Sequence, residues 1–358
     1  MLNFTVGPVM SSSDVLKIGC EQTPYFRNEE FSQVMLENEK LIKEFVYASA
    51  DSRVVFITGS GTAAMEATVM NVFNENDKVL IVNGGGFGQR YVDLCKLHNI
   101  PHDQIKLDFG QDITKEILDE YSNQGFTGFL VNICETSSCV YYNLNLISEF
   151  CNKNNIFLVV DAISSFLANP LNMTKDNIDV FITGSQKALA CPPGISIIVL
   201  GEKALERVMN NECKSMYFDL KDMLNNGERG QTPFTPAVTI LLQINARLKE
   251  IKNNGGVEEE ILRISELAND FRLRIQDLPL EIRCKSLGNS VTGVYCINSE
   301  ADTIVDALKN EYGIWVNPNG GKVGKKMFRV GHIGNLTIKD NDQLIEALHD
   351  LKQRGILK

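Results

Sequence analysis

Long apolar runs, a basic excess, a signal-like leader and a paired-cysteine framework are all missing from this 358-residue sequence. No stretch approaches the ~20 apolar residues that cross a bilayer as a helix. The start, Met1-Leu2-Asn3-Phe4-Thr5, has no basic segment followed by an apolar one, so no signal peptide is expected. The sequons at Asn3, Asn172 and Asn335 are therefore expected to carry no sugar. Lys and Arg number 35 against 45 Asp and Glu, giving a net charge of −10. That balance disfavours non-specific binding to nucleic acid or to anionic membranes. The nine cysteines are odd in number and irregularly spaced from Cys20 to Cys296, which does not read as a disulfide framework. Cys134 and Cys139 have no second close pair, so no metal site is expected. Free thiols in a reducing cytoplasm are the simplest reading. Repeats, low-complexity segments and charged tails are also missing.

What is present suits an ordinary globular chain. Hydrophobic residues make up 44% and charged residues 22%, and the length fits one large domain plus a smaller one. Residues 1–27, with Gly7-Pro8 and Pro24, read as an irregular arm. Residues 29–48 carry Phe31, Val34, Met35, Leu41, Ile42 and Phe45 at helical spacing. Strand-like runs follow at 54–57, 78–82, 126–134, 156–160, 180–183 and 195–200, with helical stretches at 63–73 and 144–152. Several of these runs are apolar at consecutive positions, as in parallel strands covered on both faces. The region from about 50 to 205 therefore reads as a doubly wound α/β unit. A helix over 237–252 ends at Asn253-Asn254-Gly255-Gly256, a strong stop signal. A helix over 258–276, strands at 291–297 and 327–330, and helices at 301–312 and 339–354 follow. The expected division is an arm over 1–27, a large α/β domain over 28–255 and a small α+β domain over 256–358.

Three segments carry chemistry. Lys187, in Thr183-Gly184-Ser185-Gln186-Lys187-Ala188-Leu189, follows an apolar strand among small residues, an odd place for a solvated charge. Asp161 ends the buried-type strand at 156–160, where a carboxylate points into the crevice that parallel sheets use for ligands. Thr58-Gly59-Ser60-Gly61-Thr62 runs from strand through a glycine turn into a helix, whose free N–H groups suit a phosphate. A helix cap for Asp161 and a solvated loop for Lys187 are the plainer alternatives. Two other motifs fail. Gly84-Gly85-Gly86-Phe87-Gly88 lacks the spacing and the acidic residue of a dinucleotide fingerprint. The loop at 320–326 is too short for a P-loop and lacks its hydroxyl residue.

Together with Gly7-Pro8, Phe87-Gly88-Gln89-Arg90, Glu135-Thr136-Ser137, Thr232-Pro233-Phe234-Thr235-Pro236 and Phe328-Arg329-Val330-Gly331-His332, these segments resemble the class V aminotransferases of fold type I. The nearest branches are the alanine/serine–glyoxylate or –pyruvate group and the 2-aminoethylphosphonate–pyruvate group. The resemblance implies a large domain with a mainly parallel, roughly seven-stranded sheet flanked by helices, plus a smaller C-terminal α+β domain. It implies pyridoxal 5′-phosphate as cofactor, Lys187 as its Schiff-base lysine and proton carrier, and Asp161 against the pyridine nitrogen. Ser60, Gly61 and Thr62 would cradle the phosphate, with Gln186 close by. Phe87 would stack on the ring, where many relatives have tryptophan, and Thr136 would bond the ring hydroxyl. Thr232, or else Thr235, would reach the phosphate of the other subunit of a homodimer, and Arg329 would clamp the substrate carboxylate.

The expected activity is ping-pong transfer of an amino group from a small donor of the alanine or serine type to pyruvate or glyoxylate. Many relatives carry a His-Arg pair in the arm, where this chain reads Glu21-Gln22-Thr23-Pro24-Tyr25-Phe26-Arg27. That departure leaves 2-aminoethylphosphonate open as a donor, and leaves Arg27 as either a surface arginine or an anion contact. A cysteine desulfurase-like lyase and a non-catalytic binding protein are the rival readings.

Overall fold

The computed structural model describes residues 1–321 and 323–358. From the N-terminus, β1 (Leu2–Phe4) and α1 (Ser13–Ile18) precede the long helix α2 (Glu29–Phe45). Next come β2 (Arg53–Thr58), α3 (Gly61–Val72), β3 (Val79–Asn83), α4 (Gly86–Leu97), β4 (His102–Lys106) and α5 (Lys115–Asp119). They are followed by β5 (Gly128–Asn132), the hairpin of β6 (Cys134–Glu135) and β7 (Val140–Tyr141), α6 (Leu144–Lys153) and β8 (Phe157–Asp161). The large sheet is completed by β9 (Val180–Gly184) and β10 (Ile195–Leu200). Four helices lead away from it, α7 (Glu202–Asn210), α8 (Leu220–Gly227), α9 (Val238–Asn253) and α10 (Val257–Arg274). The last elements are β11 (Leu280–Glu281), β12 (Val291–Cys296), α11 (Ala301–Tyr312), β13 (Ile314–Pro318), β14 (Met327–Gly331) and α12 (Ile338–Gln353).

The seven-stranded sheet has the order β2-β10-β9-β8-β5-β3-β4. Apart from the edge strand β4, its strands are buried on both faces, as the unbroken apolar runs predict. In β8, Leu158 and Val160 face one core, shared with Phe31 and Met35 of α2 and Ile244 of α9. Phe157 and Val159 face the other, shared with Met65 of α3 and Val92 of α4. Each such buried aliphatic side chain contributes about 1.5–3 kcal/mol. The pairs β3–β4, β3–β5, β5–β8 and β8–β9 are parallel, whereas β10 runs antiparallel to both β9 and β2. The C-terminal ends of β2, β3, β5, β8 and β9 therefore lie along one edge, with Asn132 opposite Asp161 and Thr58 opposite Ile195.

The smaller sheet has the order β1-β13-β14-β12-β11. It packs with α10, α11 and α12 around Phe271, Ile304, Phe328, Leu344 and Leu348. The irregular-arm reading of residues 1–27 needs correction. β1 pairs parallel with β13, so the arm supplies an edge strand to the small sheet. Ser12 caps α1 by accepting from the Val15 N–H. A three-residue strand shows no periodicity of its own and depends on a partner far along the chain.

Candidate active site

Lys187 stands in a tight loop just beyond β9. Ser185 fixes that loop, its hydroxyl donating to the Pro192 carbonyl at 2.7 Å and accepting from the Ile195 N–H at 3.3 Å. Lys187 is only 9% exposed, and the one hydrogen bond of its side chain among the described residues runs from Nζ to the Val6 carbonyl at 2.6 Å. Burial, ahead of any charge nearby, holds its amine down at about 8. Asp161, at the end of β8, is fully buried. Its oxygens accept from Asn132 Nδ2 at 2.8 Å and the Ile163 N–H at 2.9 Å, and neither donor is a cation. Burial pushes its carboxyl up to about 6. The two groups are close enough that each charge acts on the other. A buried carboxylate without a cationic partner is costly on its own.

Two glycine-led helix N-termini meet this edge and are used differently. At α4, the Glu135 carboxylate accepts from the N–H groups of Phe87 and Gly88 at 2.9 and 3.0 Å, and from the Ser137 hydroxyl. Gly85 is required there, because a Cβ would fall 2.6 Å from the Glu135 carboxyl carbon. The chain's own carboxylate thus takes the place an anionic ligand would need, which accounts for the glycine run without a nucleotide. At α3, Ser60 is the N-cap residue and makes no side-chain cap bond, and no acidic residue lies in the first turn. Gly61 lets the turn close onto Ile163, two residues beyond Asp161. This second N-terminus is open to an anion.

The other sequence-selected residues form a connected chain around these. Arg90 donates to Thr62 Oγ1 at 2.9 Å, and its guanidinium lies 5.0 Å from the centre of the half-buried Phe87 ring. Phe87 leads through Glu135 to the buried Thr136, whose carbonyl accepts from Arg329 at 3.1 Å. The second bond of Arg329 is to the Pro318 carbonyl at 2.9 Å, and its Nε is buried without a partner. Burial lowers the guanidinium from its ordinary value, and Arg329 is near enough to Lys187 to lower that amine too. Gln186 adjoins the lysine, with a buried Oε1 that has no partner. Thr232 stands apart. Its hydroxyl donates to the Phe234 carbonyl at 2.7 Å, and it makes no hydrogen bond to Ser60, Gly61 or Thr62 within the described chain. Arg27 is exposed, and its two terminal nitrogens donate to the carbonyls of Thr232 and Pro233 at 2.9 and 3.0 Å.

Residues 22–335 match the aminotransferase class-V family. The chain belongs to that family. Among relatives of this class V aminotransferase is an uncharacterised aminotransferase of Methanocaldococcus jannaschii. It is 31% identical over 338 residues, covering 92% of this chain and 86% of the relative. An alanine–glyoxylate aminotransferase of Felis catus is 28% identical, covering 97% and 86%. A solved alanine–glyoxylate aminotransferase from Nostoc shares the fold type I architecture, with a TM-score of 0.92, 24% identity and coverage of 98% and 95%.

The family implies pyridoxal phosphate, and the residues present fit it. An uncompensated buried carboxylate suits a protonated ring nitrogen, a lysine with a depressed amine suits its carbonyl carbon, and an uncapped helix suits its phosphate. Sequence reasoning on this class V aminotransferase missed the individual parts played by Glu135, Arg90, Asn132 and Val6. Glu135 and Arg90 entered only as members of the segments Glu135-Thr136-Ser137 and Phe87-Gly88-Gln89-Arg90, with no part of their own. Val6 contributes a main-chain atom and leaves no mark in the side-chain pattern. Among the described residues no group of acids, histidines and cysteines could hold a metal ion. Among the described residues no helix is long and apolar enough to cross a membrane.

Proposed function

We propose that this aminotransferase moves an amino group from a small donor of the alanine or serine type to pyruvate or glyoxylate, by ping-pong kinetics. The observation that carries the reading is the trio of Lys187, Asp161 and Arg329, buried or partly buried together and none in an ion pair among the described residues. When bound, pyridoxal phosphate supplies an electron sink for the charge left at the donor's Cα as its proton departs. Asp161 holds the proton on the ring nitrogen, and Asn132 and the Ile163 N–H fix the orientation of that carboxylate. The Ser60 hydroxyl and the N–H groups of Gly61 and Thr62 bind the phosphate, with Gln186 beside it. Phe87, backed by Arg90, would lie on the ring face, and Thr136 would bond the ring hydroxyl.

Lys187 anchors the cofactor through Nζ and, when free, carries the proton away from Cα. An amine near 8 is poised for both tasks close to neutral pH. Arg329 holds the substrate carboxylate through paired N–H donors. Arg27 already spends its terminal nitrogens on two carbonyls. Thr232 serves the phosphate of the other subunit in a cytoplasmic homodimer, and the Arg27 clip fixes its loop.

The test is a single half-reaction. Protein loaded with cofactor is mixed with one amino acid from a panel, or with 2-aminoethylphosphonate, and no acceptor. The reading expects one equivalent of 2-oxo acid per site from alanine or serine, and recovery of the starting spectrum on adding pyruvate or glyoxylate. Release of sulfide from cysteine, with no 2-oxo acid from any donor, would sink it.

A further inference from the structure

The N-terminal segment reaches Lys187 by an unusual route. β1 adds to the edge of the small sheet, with Leu2 opposite Ile314 and Phe4 opposite Val316. Beyond Phe4 the chain leaves that sheet and passes over the lysine loop at the end of β9. The Val6 N–H donates to Asn317 Oδ1 at 2.6 Å, and the Val6 carbonyl accepts from Lys187 Nζ at 2.6 Å. Gly7 then lies along the lysine stem. A Cβ there would fall 2.7 Å from Lys187 Cδ, 3.1 Å from Cε and 3.1 Å from the Gln186 carbonyl oxygen. Its φ of +121° also disfavours any other residue. Asn3 and Thr5 close the turn, both donating from their side chains to the Pro8 carbonyl, at 2.9 and 3.1 Å.

We propose that residues 5–8 form a strap that positions the Lys187 amine through the Val6 carbonyl, with Asn317 as the positioning residue that sets where that carbonyl stands. This rests on the reading of Lys187 as the cofactor-bearing lysine. The carbonyl gives Nζ a fixed acceptor whenever it is not bonded to cofactor, and Gly7 keeps water off the stem. Asn317 stands opposite Arg329 in the β13–β14 pairing. The strand pair that carries the substrate clamp therefore also holds the strap. The ionisable groups facing the amine are Cys134, Asp161 and Arg329, and burial outranks all three in setting its titration. Loosening the strap admits water and moves the amine back toward an ordinary lysine.

The test uses Asn317→Leu, which keeps bulk but removes the acceptor, and Gly7→Ala, which drives a methyl against the lysine. Trp315→Ala, at an exposed position on β13, serves as the control. The rate of covalent pyridoxal phosphate uptake by cofactor-free protein is followed against pH, because only unprotonated Lys187 attacks. Loaded protein supplies kcat and KM. Native and Trp315→Ala uptake should reach half its maximum near the lysine's value of about 8. In the two strap variants that midpoint should rise by about half a unit or more. Their kcat should fall about tenfold, with KM for the donor within about twofold of native. Native uptake profiles in either strap variant would overturn the strap alone. No uptake by the native protein would overturn the cofactor reading beneath it. If one variant fails to fold, the other still decides.

Discussion

Replacing Asp161 with asparagine should stabilise the cofactor-free protein and weaken the loaded one. Asp161 is fully buried, and burial raises its carboxyl from 3.8 to about 6. The folded chain therefore keeps this proton to a higher pH than the unfolded chain. Its contribution to stability is fully present below pH 3.8 and is lost as pH rises through about 6. A shift of about two units corresponds to roughly 3 kcal/mol. The amide in Asp161→Asn has no charge to bury. It can still accept from the Ile163 N–H, and the neighbouring Asn132 can turn its partnerless Oδ1 toward the new N–H donor. Urea unfolding of both cofactor-free proteins across pH 4–8 is the assay. The two should match near about pH 4 and diverge to roughly 3 kcal/mol in favour of the variant above about pH 7. Loaded with pyridoxal phosphate the order should reverse in cofactor retention, because the ring nitrogen loses its counter-charge. A variant less stable than native at neutral pH, or a gap that ignores pH, would refute the reasoning.

Arg329→Ala should lower kcat/KM for the 2-oxo acid by about 30- to 150-fold, the worth of one charge-assisted pair of roughly 2–3 kcal/mol, while cofactor binding survives. Steady-state kinetics with pyruvate and glyoxylate check it. Glu135→Gln removes the charge from four bonds, two at the N-terminus of α4 and two to Ser137. It should cost about 1–2 kcal/mol in thermal unfolding and loosen the cofactor through Phe87. Phe87→Leu should weaken cofactor retention by about 1 kcal/mol, roughly fivefold, as measured by dialysis against buffer. In native protein a water-soluble thiol reagent should label Cys20 first, since it is exposed and six of the nine cysteines are buried. Slow labelling of Cys20 relative to Cys95 or Cys151 would contradict the fold.

The readable parts of this chain were those whose signal is local. The strands around Lys187 and Asp161 showed as unbroken apolar runs because both faces of the sheet are covered. Lys187 stood out because a lysine is out of place at the end of such a strand. Other elements hid for physical reasons. β4 reads His102-Asp103-Gln104-Ile105-Lys106, with one apolar residue, because it is the outer edge of the sheet. α4 opens on Gly86-Phe87-Gly88, and glycines that admit Glu135 look like a loop. The reversed direction of β10 leaves no trace in its composition, since its six residues are all buried, as are those of the mutually parallel β5, β8 and β9. Glu135 and Val6 act through partners about 48 and 181 residues away along the chain, beyond any periodic pattern.

The most direct measurement is the location of the covalent bond. Native protein incubated with pyridoxal phosphate is reduced with borohydride, digested and mapped by mass spectrometry. A single stoichiometric pyridoxyl group on Lys187, absent from Lys187→Ala, is the predicted result. Attachment at another lysine, or none in protein shown to be folded, would contradict the account.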